Sequence, residues 1–282
     1  MGRVSLEEIV QAVQDLPSLP QVVLRVMELT EEPDSTAQDI NRELSQDQGL
    51  TARVLKLANS AFYNFPRRIA SVTDATVLLG FKTIRSIVLA ASVNEILSQE
   101  MEGYALEYGE LWKHSQSSAM AARLIARRVK YPGVDVTYTA ALLHDTGKVV
   151  LNSSLKEAYH EVLNKVLNNN TSFLEAEESI LGFNHAQVGA RIAEKWNLPP
   201  ELVEAIEFHH DPDNAQVNPK LTAIVHVADA VCVAMGIGIG VDGMLYPISA
   251  KAMDILGLQD TDIESIISEM TDLCADQQSF NI

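Results

Sequence analysis

The segment TAALLHDTGKVVL, residues 139–151, places ionisable side chains inside an apolar run. His144 and Asp145 are adjacent there, and Lys148 follows three residues after Asp145. A carboxylate in an apolar interior loses several kcal/mol of solvation unless a positive charge lies beside it. The pattern therefore predicts a metal ion or another cation close to Asp145.

Other potential metal ligands occur on other predicted helices. They comprise seven histidines between residues 105 and 235 and one aspartate among apolar neighbours: His114, His144, His160, His185, His209, His210, His226 and Asp229. A single histidine on an amphipathic helix is usually a hydrogen-bonded residue at the core edge, but five helices could turn several of these groups toward one centre. Imidazoles and carboxylates without a thiolate suit Fe, Mn, Zn or Co. The two cysteines, Cys232 and Cys274, have no metal-type spacing.

The elements that carry these residues are predicted to be helical, because apolar residues recur at intervals of three and four and alternating runs are scarce. We therefore predict an all-α fold. An amphipathic helix start lies within 1–16, and further helices fall within 19–35, 35–62 and 71–97, the last two ranges holding two helices each. The predicted helices of the following unit span 107–129, 134–151, 154–168, 171–181, 184–196, 199–210 and 219–235, and two more run toward the C-terminus.

Several helix ends have recognisable signals. Asn184 followed by Gln187 predicts a capping box, and Pro199 suits the first turn of a helix. Gly80 predicts the turn between the two helices of residues 71–97. The run GIGIGVDG, residues 236–243, lacks the lysine of a phosphate-binding P-loop, so it is predicted to end a helix.

Two resemblances to known families follow from these motifs. The order histidine, His-Asp, histidine, His-His, aspartate resembles the metal site of the HD superfamily of phosphohydrolases. The segments LPSLPQVVLRVMEL, DQGLTARVLKLANSAFY and ATVLLGFKTIRSIVL resemble the HDOD family of bacterial signalling proteins. The resemblance implies an N-terminal helical HDOD region at 1–104, an HD-like helical metal-binding core at 105–240 and a C-terminal helical extension at 241–282.

The HD resemblance also implies a ligand set and a chemistry. The implied ligands are His114, His144, Asp145, His185, His209, His210 and Asp229, with Asp145 bridging two divalent ions. Two ions ~3.5–4 Å apart activate a water molecule and stabilise the charge on a phosphoester, so the implied cofactors are two ions of Fe, Mn or Zn. Asp145 and Lys148 are then the catalytic candidates, with Lys148 neutralising a phosphate. The alternative for Lys148 is a lysine near a helix C-terminus that faces water.

Three more residues have two interpretations each. Glu110 stands four residues before His114 on the same helical face, and in the related HD-GYP phosphodiesterases a glutamate at that place can bind metal. A surface glutamate is the alternative. His226 is a candidate for orienting the carboxylate of Asp229, three residues later. His160 lies in a polar helix and is interpreted as structural.

The sequence departs from the HD-GYP pattern after the FHH motif. Those enzymes continue with a glycine-tyrosine-proline segment, whereas this chain reads DPDNAQVNP, residues 211–219. The departure argues against hydrolysis of cyclic di-GMP. Residues 156–181, between His144 and His185, supply two helices that could cover or reshape the mouth of the site.

Charge and hydropathy limit the partners. The formal net charge is −17, so the protein's own field opposes binding to a phosphate backbone. Residues 74–89 place a glycine between two short helices, as a helix-turn-helix would, but Lys82 and Arg85 are its only basic residues. We therefore expect no nucleic-acid partner. No apolar stretch approaches the ~20 residues of a membrane helix, so we expect a cytoplasmic protein without a membrane partner.

Two functions remain open from the sequence. The first is a metal-dependent phosphohydrolase that acts on a phosphodiester or nucleotide, which the complete ligand set favours. The second is a non-catalytic signalling output module that binds a partner protein, with a structural or sensory metal site. Resemblance to the HDOD family favours the second.

Overall fold

The fold of the chain is helical. The computed structural model describes residues 19–60, 63, 68–154, 156–169, 171–238 and 246–276, and within these ranges regular structure is helical apart from one isolated β-bridge between Met101 and Leu106. The all-α prediction is confirmed. The helix start predicted within 1–16 lies outside the described residues. Among the described helices, none has the length and hydropathy needed to span a bilayer.

The chain divides into two compact units, one of residues 17–95 with 269–282 and the other of residues 1–16 with 96–268. The described helices that begin in 17–95 are α1 (Gln21–Leu29), α2 (Ala37–Leu44), α3 (Gln48–Ala58), α4 (Val72–Leu79) and α5 (Phe81–Leu97). Thr36 caps α2 in a capping box with Asp39. Gly80 separates α4 from α5 with φ +83°, a backbone conformation that favours glycine, so the predicted turn is confirmed.

The unit of residues 96–268 contains the helices that carry the predicted ligands. They are α6 (Glu110–Arg128), α7 (Val134–Leu143), α8 (Thr146–Ser154), α9 (Lys156–Asn169), α10 (Phe173–Ile180), α11 (His185–Lys195), α12 (Pro200–Glu207), α13 (Pro219–Ala234), α14 (Ala250–Leu256) and α15 (Asp260–Asp276), which ends beyond the unit. Short 3₁₀ turns lie at Glu102–Tyr104 and Pro212–Asn214. Asn184 forms the predicted capping box with Gln187 at the start of α11.

The predicted continuous helix of residues 134–151 is wrong, because the chain breaks it at the HD motif into α7 and α8. Local side-chain hydrogen bonds accompany the break. His144 Nδ1 donates to the carbonyl oxygen of Ala141 at 2.6 Å, and Thr146 Oγ1 donates to that of Leu143 at 2.8 Å. Side chains that bond nearby carbonyls compete with the helical backbone for these acceptors, which is consistent with the end of α7 at this point.

Close packing of α8 against α11 fixes the distance between two ligand-bearing segments. A Cβ added at Gly147 would lie 1.9 Å from the carbonyl oxygen of His185 and 2.7 Å from the backbone nitrogen of Gly189. Only glycine therefore fits at position 147. Helix α13 packs against α6, α7 and α12, which brings the remaining ligand-bearing segments to the same region of this unit.

Candidate metal centre

The predicted ligands come together within the unit of residues 96–268. They originate from α6 (His114), the α7–α8 break (His144 and Asp145), the first residue of α11 (His185), the turn after α12 (His209 and His210) and the middle of α13 (Asp229). All except His210 are buried with at most 4% of the residue surface exposed, and the side chain of His210 is 8% exposed. Residues far apart in the sequence thus form one buried cluster.

The carboxylate of Asp145 lies between two pairs of imidazoles. Its Oδ2 atom is 3.7 Å from His114 Nε2 and 3.4 Å from His144 Nε2. Its Oδ1 atom is 3.5 Å from His185 Nε2 and 3.8 Å from His209 Nε2. Each oxygen of the same carboxylate therefore faces a different pair of ring nitrogens.

This geometry divides the cluster into two halves that share Asp145. We define half-site A as His114, His144, Asp145 and Asp229, and half-site B as His185, His209, His210 and Asp145. In half-site A, Asp229 Oδ1 lies 3.0 Å from His114 Nε2 and 3.5 Å from His144 Nε2. In half-site B, the Nε2 atoms of His185 and His210 lie 3.0 Å apart. Within each half, three residues have potential ligand atoms that all fall within 4.8 Å of one another.

Four of the imidazoles have the outer nitrogen fixed by an acceptor. The Nδ1 atoms of His114, His144 and His209 bond to backbone carbonyl oxygens at 2.8, 2.6 and 2.7 Å, and that of His185 bonds to the carboxylate of Glu177 at 2.8 Å. An acceptor at Nδ1 requires the proton there, which leaves the Nε2 lone pair directed into the cluster. This tautomer is the one that metal-ligating histidines adopt.

Three buried polar atoms of the cluster have no hydrogen-bond partner among the described residues. They are His144 Nε2, Asp145 Oδ1 and His209 Nε2. A buried polar atom without a partner costs about 1–3 kcal/mol. Since all three are acceptors when the ligand tautomer is present, bound cations would satisfy them. The residues of the cluster therefore fit a metal ion.

The carboxylates of the cluster are ionised. Burial by itself would raise the pKa of Asp145, but the charges of Lys148 and the surrounding imidazoles hold it well below its ordinary value. Burial acts in the same direction on Asp229, but the neighbouring imidazoles of His114 and His144 hold its pKa well below the ordinary value. When the imidazoles are neutral, the two carboxylates outweigh the single ammonium of Lys148. The cluster then has a net negative charge, which attracts cations.

Most of half-site B is suited to the neutral imidazole form. Burial, followed by the charge of His144, lowers the pKa of His209 to about 3. Burial and the neighbouring imidazoles of His209 and His185 also lower the pKa of His210 well below its ordinary value. In half-site A, burial lowers the pKa of His144, but Asp145 and Asp229 outweigh it and raise the pKa overall. A proton and a metal ion thus compete for His144 more than for His209.

Lys148 lies beside the cluster and pairs with Asp145. Its Nζ atom is 2.6 Å from Asp145 Oδ2, and its side chain is 18% exposed. The ammonium also lies 5.6 Å from the ring centroid of Tyr104. Lys148 occupies the first turn of α8, so the interpretation as a water-facing lysine near a helix C-terminus is wrong. The break at the HD motif is the reason, because it starts a new helix just before this residue.

Two other candidate residues have different partners from those expected. Glu110 accepts a hydrogen bond from the backbone N–H of Glu107 at 2.7 Å and is not among the grouped ligand atoms. The ring nitrogens of His226 bond to the carbonyl oxygen of His209 at 2.7 Å and to the backbone N–H of Ser249 at 2.9 Å. His226 therefore holds the segment that bears His209, and the expected hydrogen bond to Asp229 is not formed.

The remaining histidine, His160, is exposed on α9. The sequence reasoning missed Glu177, a fully buried carboxylate on α10 that bonds to the ring of His185. A signal for it was present. Glu177 lies four residues after Phe173 and therefore on the buried face of an amphipathic helix, where a charged residue needs a partner.

Comparisons with known proteins identify the class. The HDOD domain family matches residues 16–212, and the chain belongs to this family. A crystal structure of an HDOD domain protein of unknown function from Geobacter sulfurreducens is 28% identical, with a TM-score of 0.79 over 97% of this chain and 98% of that one. A candidate phosphohydrolase from Shewanella amazonensis SB2B is 25% identical, with a TM-score of 0.75 over 98% of this chain and 97% of that one.

Curated relatives are longer than this chain. Ribonuclease Y of Thermus thermophilus is 30% identical over 130 residues, which cover 45% of this chain and 17% of that protein. The chain spans less than half the length of the curated relatives that it matches. Together, the family, the phosphohydrolase-like structure and the buried histidine and aspartate cluster define an HDOD protein that is related to HD phosphohydrolases and has residues able to bind metal.

Proposed function

We propose that this chain is a bacterial signal-transduction protein that binds two divalent metal ions and hydrolyses a phosphodiester or a nucleotide. The observation that carries the proposal is the placement of Asp145, whose two oxygens each face a different pair of imidazole Nε2 atoms. A carboxylate in this position is suited to bridge two ions. Half-site A and half-site B would hold one ion each.

The chain's own residues would then position the reactants. Bound divalent ions supply activation of water and stabilisation of charge on phosphoryl oxygens. Lys148, at the edge of the cluster and partly exposed, would neutralise the charge of an incoming phosphate. The ligand set of neutral imidazoles and carboxylates without thiolate favours Fe, Mn or Zn.

The substrate is proposed to be small. The similarity to a candidate phosphohydrolase and to ribonuclease Y favours phosphoester chemistry. The net charge of −17 opposes binding of a long polyanion such as RNA. A nucleotide or a short phosphodiester meets less of this repulsion.

A second candidate function is a non-catalytic output module that binds a partner protein. The observation that favours it is that Tyr246 stacks on the ring of His210, with the ring centroids 4.7 Å apart and an angle of 19° between the ring planes. An aromatic ring in this position covers part of half-site B. The metal site would then be structural or sensory.

Metal content and turnover together separate these two functions. The chain is purified without added metal, analysed by mass spectrometry, and loaded with Fe²⁺, Mn²⁺ or Zn²⁺. Hydrolysis of bis(p-nitrophenyl) phosphate, nucleoside phosphates and a short RNA is then measured. We expect two ions per chain and turnover of the small substrates that His144→Ala abolishes, while His160→Ala, an exposed histidine of α9, leaves it unchanged.

Each other result has a defined meaning. Two bound ions without turnover of any substrate would support the output module. Fewer than two ions under all loading conditions would refute the two-ion proposal. Turnover of RNA above that of the small substrates would overturn the proposed substrate class.

A further inference from the structure

Among the described residues, one imidazole of half-site B is held at Nδ1 by a buried carboxylate, whereas the imidazoles of half-site A bond to backbone carbonyls there. Glu177 on α10 accepts two hydrogen bonds from the same residue, the backbone N–H of His185 at 2.7 Å and its ring Nδ1 at 2.8 Å, both at Oε2. This carboxylate therefore fixes the main chain and the imidazole of His185 at once. It also lies at the N-terminus of α11, where a negative charge is favourable.

The other oxygen of Glu177 is held just as firmly. Oε1 accepts hydrogen bonds from the hydroxyl of Tyr104 at 2.6 Å and from that of Tyr159 at 2.5 Å. The two tyrosines come from the 3₁₀ turn at Glu102–Tyr104 and from α9, and each is 1% exposed. The two hydroxyl oxygens also contact each other, so the single hydroxyl proton of Tyr159 is shared between Glu177 and Tyr104. Four hydrogen bonds thus hold this buried carboxylate in place.

The hydrogen bonds of Glu177 are those of an anionic carboxylate. Its two oxygens accept from the backbone and the ring of His185 and from the hydroxyls of Tyr104 and Tyr159. An ionised acceptor at Nδ1 makes the opposite ring nitrogen a stronger ligand than a backbone carbonyl does. Of the four imidazoles with a fixed Nδ1, only His185 has this arrangement among the described residues.

We propose that Glu177, held by Tyr104 and Tyr159, is the positioning residue that sets the metal affinity of half-site B. The inference rests on the proposed two-ion centre. Partners in this second layer typically change metal affinity 10–100-fold. Because Glu177 contacts no residue of half-site A in the described contacts, the ion at half-site A should be unaffected by its replacement.

The experiment measures metal binding and does not depend on turnover. Titration calorimetry with Mn²⁺ and Zn²⁺ gives the stoichiometry and both dissociation constants for the full chain. We expect Glu177→Gln to weaken one of the two ions about 10–100-fold and to leave the other unchanged. Tyr159→Phe, which removes one hydrogen bond to Glu177 and keeps the carboxylate, should weaken the same ion by a smaller factor.

Matched controls separate this effect from changes of charge or fold. Glu161→Gln removes one negative charge from an exposed position of α9, and Tyr108→Phe removes a hydroxyl from a side chain that is 79% exposed. Both should bind two ions with wild-type affinities. In a His185→Ala background, adding Glu177→Gln should cause no further loss, because the ligand through which Glu177 acts is gone. Circular dichroism confirms folding, and if Glu177→Gln fails to fold, Tyr159→Phe decides the test.

The outcomes distinguish this inference from the proposed function. A wild-type chain that never binds two ions overturns the proposed function. Two ions bound with equal affinity by the wild type, Glu177→Gln and Tyr159→Phe overturn the role of Glu177 and leave the two-ion centre standing. Equal weakening of both ions would also overturn it, since the contacts of Glu177 predict an effect confined to half-site B.

Discussion

Gly147 offers a direct test of how the fold holds the two halves of the centre together. In Gly147→Ala, the new Cβ would lie 1.9 Å from the carbonyl oxygen of His185. Carbon and oxygen that are not bonded come no closer than about 3.4 Å in ordinary packing, so α8 and α11 must separate by about 1.5 Å. The carbonyl is backbone, and no side-chain rotation relieves the contact.

This displacement should affect both stability and metal binding. Overpacking of a core contact typically costs about 1–3 kcal/mol in the free energy of unfolding. Because metal–ligand distances tolerate only about ±0.2 Å, a shift of about 1.5 Å between Asp145 and His185 should abolish tight binding at half-site B. We expect Gly147→Ala to unfold at lower urea concentration and to bind one ion.

The assay is urea unfolding of the metal-free chain in chelator, followed by metal stoichiometry of the loaded chain. Gly49→Ala is the matched control, because Gly49 lies in α3 and its added Cβ would make no contact shorter than 3.4 Å. It should stabilise the chain by about 0.5–1 kcal/mol through helix propensity and leave metal binding intact. Wild-type stability together with two bound ions in Gly147→Ala would refute the reasoning.

Three further predictions concern stability. The pKa of His209 falls to about 3 in the folded state, so the unfolded chain takes up this proton first as the pH drops below about 6.5. The metal-free chain should therefore lose about 1.4 kcal/mol per pH unit from this residue, and urea titrations should find the slope smaller by that amount in His209→Asn. The buried carboxylate of Glu204 accepts hydrogen bonds from the backbone N–H groups of residues 216–218 at 2.5–2.7 Å. Glu204→Ala should therefore lower the free energy of unfolding by about 2–4 kcal/mol, and an unchanged melting temperature would contradict this. Thr36→Ala should cost about 1 kcal/mol by removing the cap of α2, with metal stoichiometry unchanged as the check that the loss is local.

The helices were largely predictable because their signals are local. The period of the apolar residues and the capping residue Asn184 depend on neighbours within one or two turns, and the structure places helices where those signals predict them. The prediction failed at the HD motif because it used only these local signals. The hydrogen bonds of His144 and Thr146 to preceding carbonyls end α7, and an apolar run on both sides conceals that break.

The ligands of the candidate site were predictable from the sequence, whereas the residues that hold those ligands in place were less so. The histidines and aspartates of the ligand set are rare ionisable residues in apolar surroundings, so their types and order pointed to a shared cation. Glu177 did not follow from this pattern, because its role depends on a contact between α10 and the start of α11 and on two tyrosines from other segments. The partners of His226 and Glu110 also come from the packing and not from their spacing along a helix.

The sequence by itself determined that the chain is all-helical and that it carries imidazoles and carboxylates which cannot be buried alone. Both conclusions follow from local sequence, because helical periodicity and the cost of desolvating a charge depend on neighbouring residues. Only the tertiary structure decided that Asp145 faces two sets of ring nitrogens, that Lys148 starts a helix and pairs with Asp145, and that Glu177 supports one half of the cluster. The reason is physical. These features depend on distances between segments that lie far apart in the sequence. Contacts such as that between Gly147 and His185 set these distances, and such contacts produce no periodic pattern in the sequence.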